Sequence, residues 1–215
     1  MKYLVGLAIL AVLSGLIFAV FKTKQWRDDL KIQAAVDLGR SVSDAEAAYA
    51  ERTYRPLGTT ADEILAHEND DKKPHVLAAL LWRMGQKSER LGWTNLTDTE
   101  RRLIAVYAME GEISDGGFDE YFFNPTGGDA DVALAGLNDM GASAAAELLQ
   151  RAMAQFPGGK PPADYAKRQE VLGKIEATAK PLWSKYTSEY YHLKQDTYAL
   201  CLAYAKKKRA DIILP

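Results

Sequence analysis

Residues 183–204 read Trp183-Ser184-Lys185-Tyr186-Thr187-Ser188-Glu189-Tyr190-Tyr191-His192-Leu193-Lys194-Gln195-Asp196-Thr197-Tyr198-Ala199-Leu200-Cys201-Leu202-Ala203-Tyr204. Within them Trp183, Tyr186, Tyr190, Leu193, Thr197, Leu200 and Tyr204 recur at alternating steps of three and four. That spacing places one apolar stripe along a single helix of about 25 residues. The stripe predicts a core helix against which the others pack. The same spacing would serve an a/d seam between two copies, so a homodimer stays open. No alternation of period two runs over a useful length and no internal repeat is present, so the fold class is all-α, a helical bundle.

Working outward from this helix, the other elements follow from caps and breakers. Thr97-Asp98-Thr99-Glu100 is a capping box, with the Thr97 hydroxyl facing the Glu100 amide and the Glu100 carboxylate reaching back. The helix it opens turns Leu103, Ile104 and Tyr107 inward, and Gly116-Gly117 interrupts it. Phe118 to Phe123 is a short aromatic helical turn, ended by Asn124-Pro125-Thr126-Gly127-Gly128. Asp129 to Met140 is a further helix closed by Gly141. Ala145, Leu148, Leu149, Ala152 and Phe156 form the next apolar face, and Pro157-Gly158-Gly159-Lys160-Pro161-Pro162 is a loop. Upstream, Thr60-Ala61-Asp62-Glu63 starts a helix, residues 69–74 are a polar loop, and Leu77, Leu80, Leu81, Met84 and Leu91 share a helix face.

The 215-residue chain opens on a run with no charged side chain from Tyr3 to Phe21. Nineteen helical residues at about 1.5 Å each match the hydrocarbon thickness of a bilayer. The run is longer than a signal peptide's apolar core and ends without a small-x-small cleavage site. Residues 1–27 are therefore expected to be a transmembrane anchor with a basic flank. Lys22, Lys24 and Arg27 outweigh Lys2 and the amino terminus, which orients the soluble part toward the cytoplasm of a bacterial inner membrane. Residues 28–88 read as a helical stalk and N-terminal helices, and 89–215 as the principal helical domain.

Charge is unevenly spread. Residues 89–150 hold 12 carboxylates and 3 cationic side chains, whereas residues 151–215 hold 12 cationic side chains and 6 carboxylates. The acidic block predicts a negative potential suited to a basic protein partner rather than to nucleic acid. Solvated helix faces and N-terminal dipole partners, as Asp129 and Asp131 would be, account for the same residues without a partner.

Chemistry-bearing patterns are few. His67, His75 and His192 share no metal-ligand spacing, and no HExxH, CxxC or phosphate-cradling loop occurs. Glu110 and Glu112 point to different helix faces. Cys201, the one cysteine, sits in an aromatic helix as a small hydrophobe. No catalytic residue, metal site or cofactor is expected, and the chain does not read as an enzyme.

The stretch Gly111-Glu112-Ile113-Ser114-Asp115-Gly116-Gly117-Phe118-Asp119-Glu120-Tyr121-Phe122-Phe123-Asn124-Pro125-Thr126-Gly127 resembles the signature of a bacterial family of DNA-mimic proteins. The resemblance extends over about residues 90–210, through the Gly141-Ala142 pair to Phe156-Pro157-Gly158. Asp115 stands where the family usually has Asn, and Glu120 where Gln is common, and both add negative charge. The resemblance implies an all-helical domain that imitates the charge of duplex DNA and binds a transcription factor as a dimer. The expected partner-binding residues are Glu112, Asp115, Asp119, Glu120, Asp129 and Asp131. Gly116, Gly117, Phe118, Tyr121, Phe122 and Asn124 read as architecture: a backbone turn, the aromatic filling beneath it and the capped exit. The function expected is a membrane-anchored protein-interaction module with an acidic face. The alternative is an immunity or envelope-associated protein that captures its partner through an apolar groove.

Overall fold

A computed structural model describes residue 45 and residues 47–214. The chain divides into two compact units, residues 1–52 and 53–215. Of the first, residues 45 and 47–52 are described and are helical. The membrane segment expected over residues 3–21 and most of the stalk lie outside the described residues. Among the described residues no helix is long and apolar enough to cross a membrane, and there are no strands.

Among its described residues the second unit contains seven α-helices. They are α1 (Ala61–Leu65), α2 (Val76–Leu91), α3 (Asp98–Phe123), α4 (Ala130–Asp139), α5 (Ser143–Met153), α6 (Tyr165–Tyr191) and α7 (Thr197–Lys207). Short 3-10 turns link several of them, including Ala66–Asn69 and Lys73–His75 in the polar stretch between α1 and α2. Helix α3 is central and packs against α2, α4, α6 and α7. Its buried face runs from Leu103 through Val106, Met109 and Ile113 to Phe118 and Phe122, all fully buried.

The helix start predicted at Thr60 is a capping box, and the capping box predicted at Thr97 forms. Thr60 Oγ1 accepts from the Glu63 amide at 3.2 Å, and the Glu63 carboxylate accepts from the Thr60 amide at 3.1 Å. At α3, Thr97 Oγ1 accepts from the Glu100 amide at 3.2 Å and Glu100 Oε2 accepts from the Thr97 amide at 2.8 Å. The second box does more than start a helix. Glu100 is fully buried, and Lys87 Nζ of α2 donates to both its oxygens at 2.7 and 3.0 Å. The Ile213 amide donates to Oε1 at 2.8 Å, and the Thr97 hydroxyl donates to the Asp211 carbonyl at 2.8 Å. One carboxylate thus joins two helices and the C-terminal segment, and its remaining lone pairs are satisfied, as burial of a charge demands.

The long terminal helix predicted over residues 183–204 is two helices. Helix α6 ends at Tyr191 and α7 begins at Thr197. Asp196 causes the restart: its side chain accepts from the Ala199 amide at 2.9 Å, an N-cap that competes with helix continuation. The stripe survives the break. Trp183, Tyr186, Tyr190, Thr197 and Tyr204 are all buried within the unit.

Two contacts fix the bend and exit of α3. Gly117 has φ +78°, outside the helical range, so the interruption sits on the second glycine of the pair. A Cβ there would lie 2.6 Å from Thr187 Oγ1 of α6, and the Phe118 amide freed by the bend donates to that same hydroxyl at 3.0 Å. Beyond the bend, Arg168 of α6 is fully buried and donates all five guanidinium N–H groups to main-chain carbonyls. Nε reaches Phe122 at 3.0 Å, Nη1 reaches Pro162 and Ala163 at 2.8 and 3.2 Å, and Nη2 reaches Asn124 and Pro125 at 2.9 and 3.1 Å.

Gly117→Ala combines a positive φ with a clash and is expected to lower stability by about 2–4 kcal/mol. Gly111→Ala, at an exposed helical site with nothing within 4 Å of the new Cβ, should leave stability unchanged or raise it. Urea unfolding of the two variants measures the contrast. Arg168→Lys, with three donors on one nitrogen, leaves at least two buried carbonyls without a partner and should cost about 3 kcal/mol or more in the same assay.

Candidate interaction surface

The motif over residues 111–127 occupies the last part of α3, its bend and the exit loop. All its aromatic residues but Phe123 face inward. Phe118, Tyr121 and Phe122 are no more than 1% exposed. Phe122 lies 5.2 Å from the Trp183 ring and 4.9 Å from Phe156, and Phe118 meets Tyr190 edge-on at 6.0 Å. Gly127 continues the tight fit, since a Cβ there would lie 2.5 Å from the Tyr121 carbonyl. Asn124 ends the helix, its amide donating to the Glu120 carbonyl at 2.9 Å.

The six candidate carboxylates have different surroundings. Glu112 accepts from Asn124 Nδ2 at 2.5 Å and from the Thr126 hydroxyl at 3.2 Å, so it braces the exit loop. Glu120 is exposed and accepts from Asn124 Nδ2 at 3.3 Å. Asp115 is exposed and has no bonded partner among the described residues. Asp119 pairs with Lys180 at 3.0 Å. Asp131 pairs with Lys160. Asp129 precedes α4 without a side-chain capping bond, and burial raises its carboxyl above the usual range against the pull of Arg168.

Asp119 and Glu120 come together with residues that the sequence did not single out. They and Phe123 face α6 across a groove of about 400 Å³, whose other side carries Leu172, Gly173, Glu176 and Lys180. Lys180 bridges Asp119 at 3.0 Å and Glu176 at 3.5 Å, and the hydrogen bond it donates to Asp119 holds its ammonium above the ordinary lysine value. Phe123 is 53% exposed, while its carbonyl accepts from Gln169 Nε2 at 2.7 Å. Glu176 and Lys180 are four apart on α6, a spacing that could have marked this face in the sequence. Its position opposite Asp119 depends on the α3 bend and carries no local signal.

A smaller cavity of about 170 Å³ lies near the junction of α6 and α7. There Glu110 accepts from the Tyr190 and Thr197 hydroxyls, the latter at 2.9 Å. Burial, with the Glu110 carboxylate beside it, pushes the Tyr190 phenol well above its ordinary value. The histidines lie elsewhere: His67 Nδ1 faces Asp70 at 2.6 Å, and His192 Nδ1 faces the Ser188 carbonyl at 2.6 Å. Cys201 is buried, which pushes its thiol up to about 12. Among the described residues no group of three or more His, Cys, Asp or Glu side chains could hold a metal ion.

A protein-family model described as DMP19-like protein matches residues 94–208, just over half of the chain. Neither a curated protein nor a solved structure matches. The matched segment runs from just before the Thr97–Glu100 capping box, through the Gly116-Gly117 bend and the Arg168-bound exit loop, to the end of α7. On this match the chain belongs to the DMP19-like protein family, the DNA-mimic family that its residues 111–127 resemble.

Proposed function

We propose that this chain is a protein-interaction module that engages a basic, DNA-binding protein through the carboxylates around the α3 bend. Family membership supports a DNA-mimic-like interaction role. The observation that carries the reading is the group formed by Asp115, unpaired among the described residues, exposed Glu120, and Asp119 with Glu176 across the groove. Around the groove three carboxylates face one ammonium, Lys180, which leaves the rim net negative. A basic surface approaching that rim gains from complementary potential and from a faster encounter.

The apolar run at residues 3–21 and the cations at 22, 24 and 27 support tethering to the inner membrane with this domain on the cytoplasmic side. That side is where DNA-binding proteins are found. Tethering would also raise the local concentration of the module along the membrane surface.

Two experiments test this reading. Affinity capture by the full chain should retain DNA-binding proteins that duplex DNA displaces, and capture should weaken steeply between about 50 and about 200 mM salt. Asp115→Lys and Asp119→Lys should each reduce capture, whereas Glu147→Lys, on α5, should not. Capture indifferent to salt, duplex and both reversals would overturn the proposal. Separately, the full-length protein should stay with membranes through an alkaline wash and be protected from protease added to spheroplasts. Release by the wash would remove the tether from the account.

A further inference from the structure

The groove beside the α3 bend has a property that charge alone does not explain. Gly173 lies in the interior of α6, where glycine is less favourable than alanine. It does not adopt a positive φ, and a Cβ built on it would meet nothing within 4 Å. Neither backbone conformation nor packing calls for glycine here. The empty space beside it is the groove itself.

The rest of the lining has a consistent chemistry. Leu172 and the half-exposed ring of Phe123 supply apolar surface. Asp119, Glu120 and Glu176 supply anionic groups at the rim. Lys180, itself 54% exposed, already lays an ammonium between two of these carboxylates. The rim therefore accepts a cation on a long aliphatic stem, and it has charge left over for another.

We propose that this groove receives arginine side chains from an extended arginine-rich segment of the basic partner. Guanidinium is favoured over ammonium because its planar face stacks on an aromatic ring and its fork of donors can meet more than one carboxylate. The stem lies along Leu172 and the space that Gly173 leaves open. The proposal rests on the interaction reading above and adds the occupant and the residue that makes room for it.

Nona-arginine and nona-lysine peptides are suitable probes, titrated into the full chain with fluorescence anisotropy as the readout. The arginine peptide should bind more tightly than the lysine peptide. Gly173→Leu, which changes no charge, should keep or raise the melting temperature and weaken arginine-peptide binding about tenfold. Lys180→Ala should strengthen binding by freeing Asp119 and Glu176. Lys194→Ala, which removes the same charge elsewhere, should change it little. If Gly173→Leu binds as well as the parent, or Lys180→Ala and Lys194→Ala behave alike, the groove is not the site. If charge reversal at Asp115 and Asp119 still abolishes capture in that event, the acidic-surface reading stands without it. If none of these variants matters, both readings fall.

Discussion

A buried guanidinium with five donors and five main-chain acceptors holds the motif half of this domain together. Arg168 faces the carbonyls of Phe122, Asn124 and Pro125 on one side and of Pro162 and Ala163 on the other. Among the described residues no carboxylate bonds to it directly. Burial lowers its affinity for the proton, and Tyr121, Tyr165, Asp129 and Asp164 act in the opposite sense. The exposed alternative for these carbonyls would be water, but they line the seam between a helix exit and the start of another helix. One side chain replaces the solvent for both segments. The positions of Phe123 and Gln169, and hence the width of the groove, follow from it.

Opposite charges in the two halves of the domain meet as the chain folds. The acidic stretch of residues 89–150 and the basic stretch of residues 151–215 form pairs across their boundary: Asp119 with Lys180 and Asp131 with Lys160. These pairs are exposed, so each contributes little to stability. Their effect is to trim the surface field. A segment that carries nine more carboxylates than cations in the sequence shows a smaller excess once α6 lies beside α3. What remains negative is concentrated near the bend, where Asp115 and Glu120 have no cation of their own among the described residues.

Much of the helix layout was legible because helix starts and stops are local. Thr97 and Glu100 announced α3, Thr60 and Glu63 announced α1, and the Gly116-Gly117 pair marked the bend. The stripe from Trp183 to Tyr204 correctly named buried residues, yet it hid a break, because spacing reports which face is apolar and not whether the backbone is continuous. The Asp196 cap was the local sign of that break. Arg168 left no comparable trace. Its partners are carbonyls, which every residue carries, so nothing in the pattern of side chains distinguishes it from a surface arginine. The candidate acidic residues were recognisable individually, but which of them share a groove with Glu176 depends on a backbone angle at Gly117.

The carboxylate of Glu100 bears on the order in which the domain can be completed. Its bond to the Ile213 amide closes a loop of 113 residues, while its ties to Thr97 and Lys87 are comparatively local. A nascent chain can form the capped helix and bring Lys87 to it early, but the last lone pair stays open to water until residue 213 has left the ribosome. Sealing of this polar centre thus waits on a residue 113 positions downstream. Without the Ile213 bond, the Glu100–Lys87 ion pair would be left incompletely dehydrated.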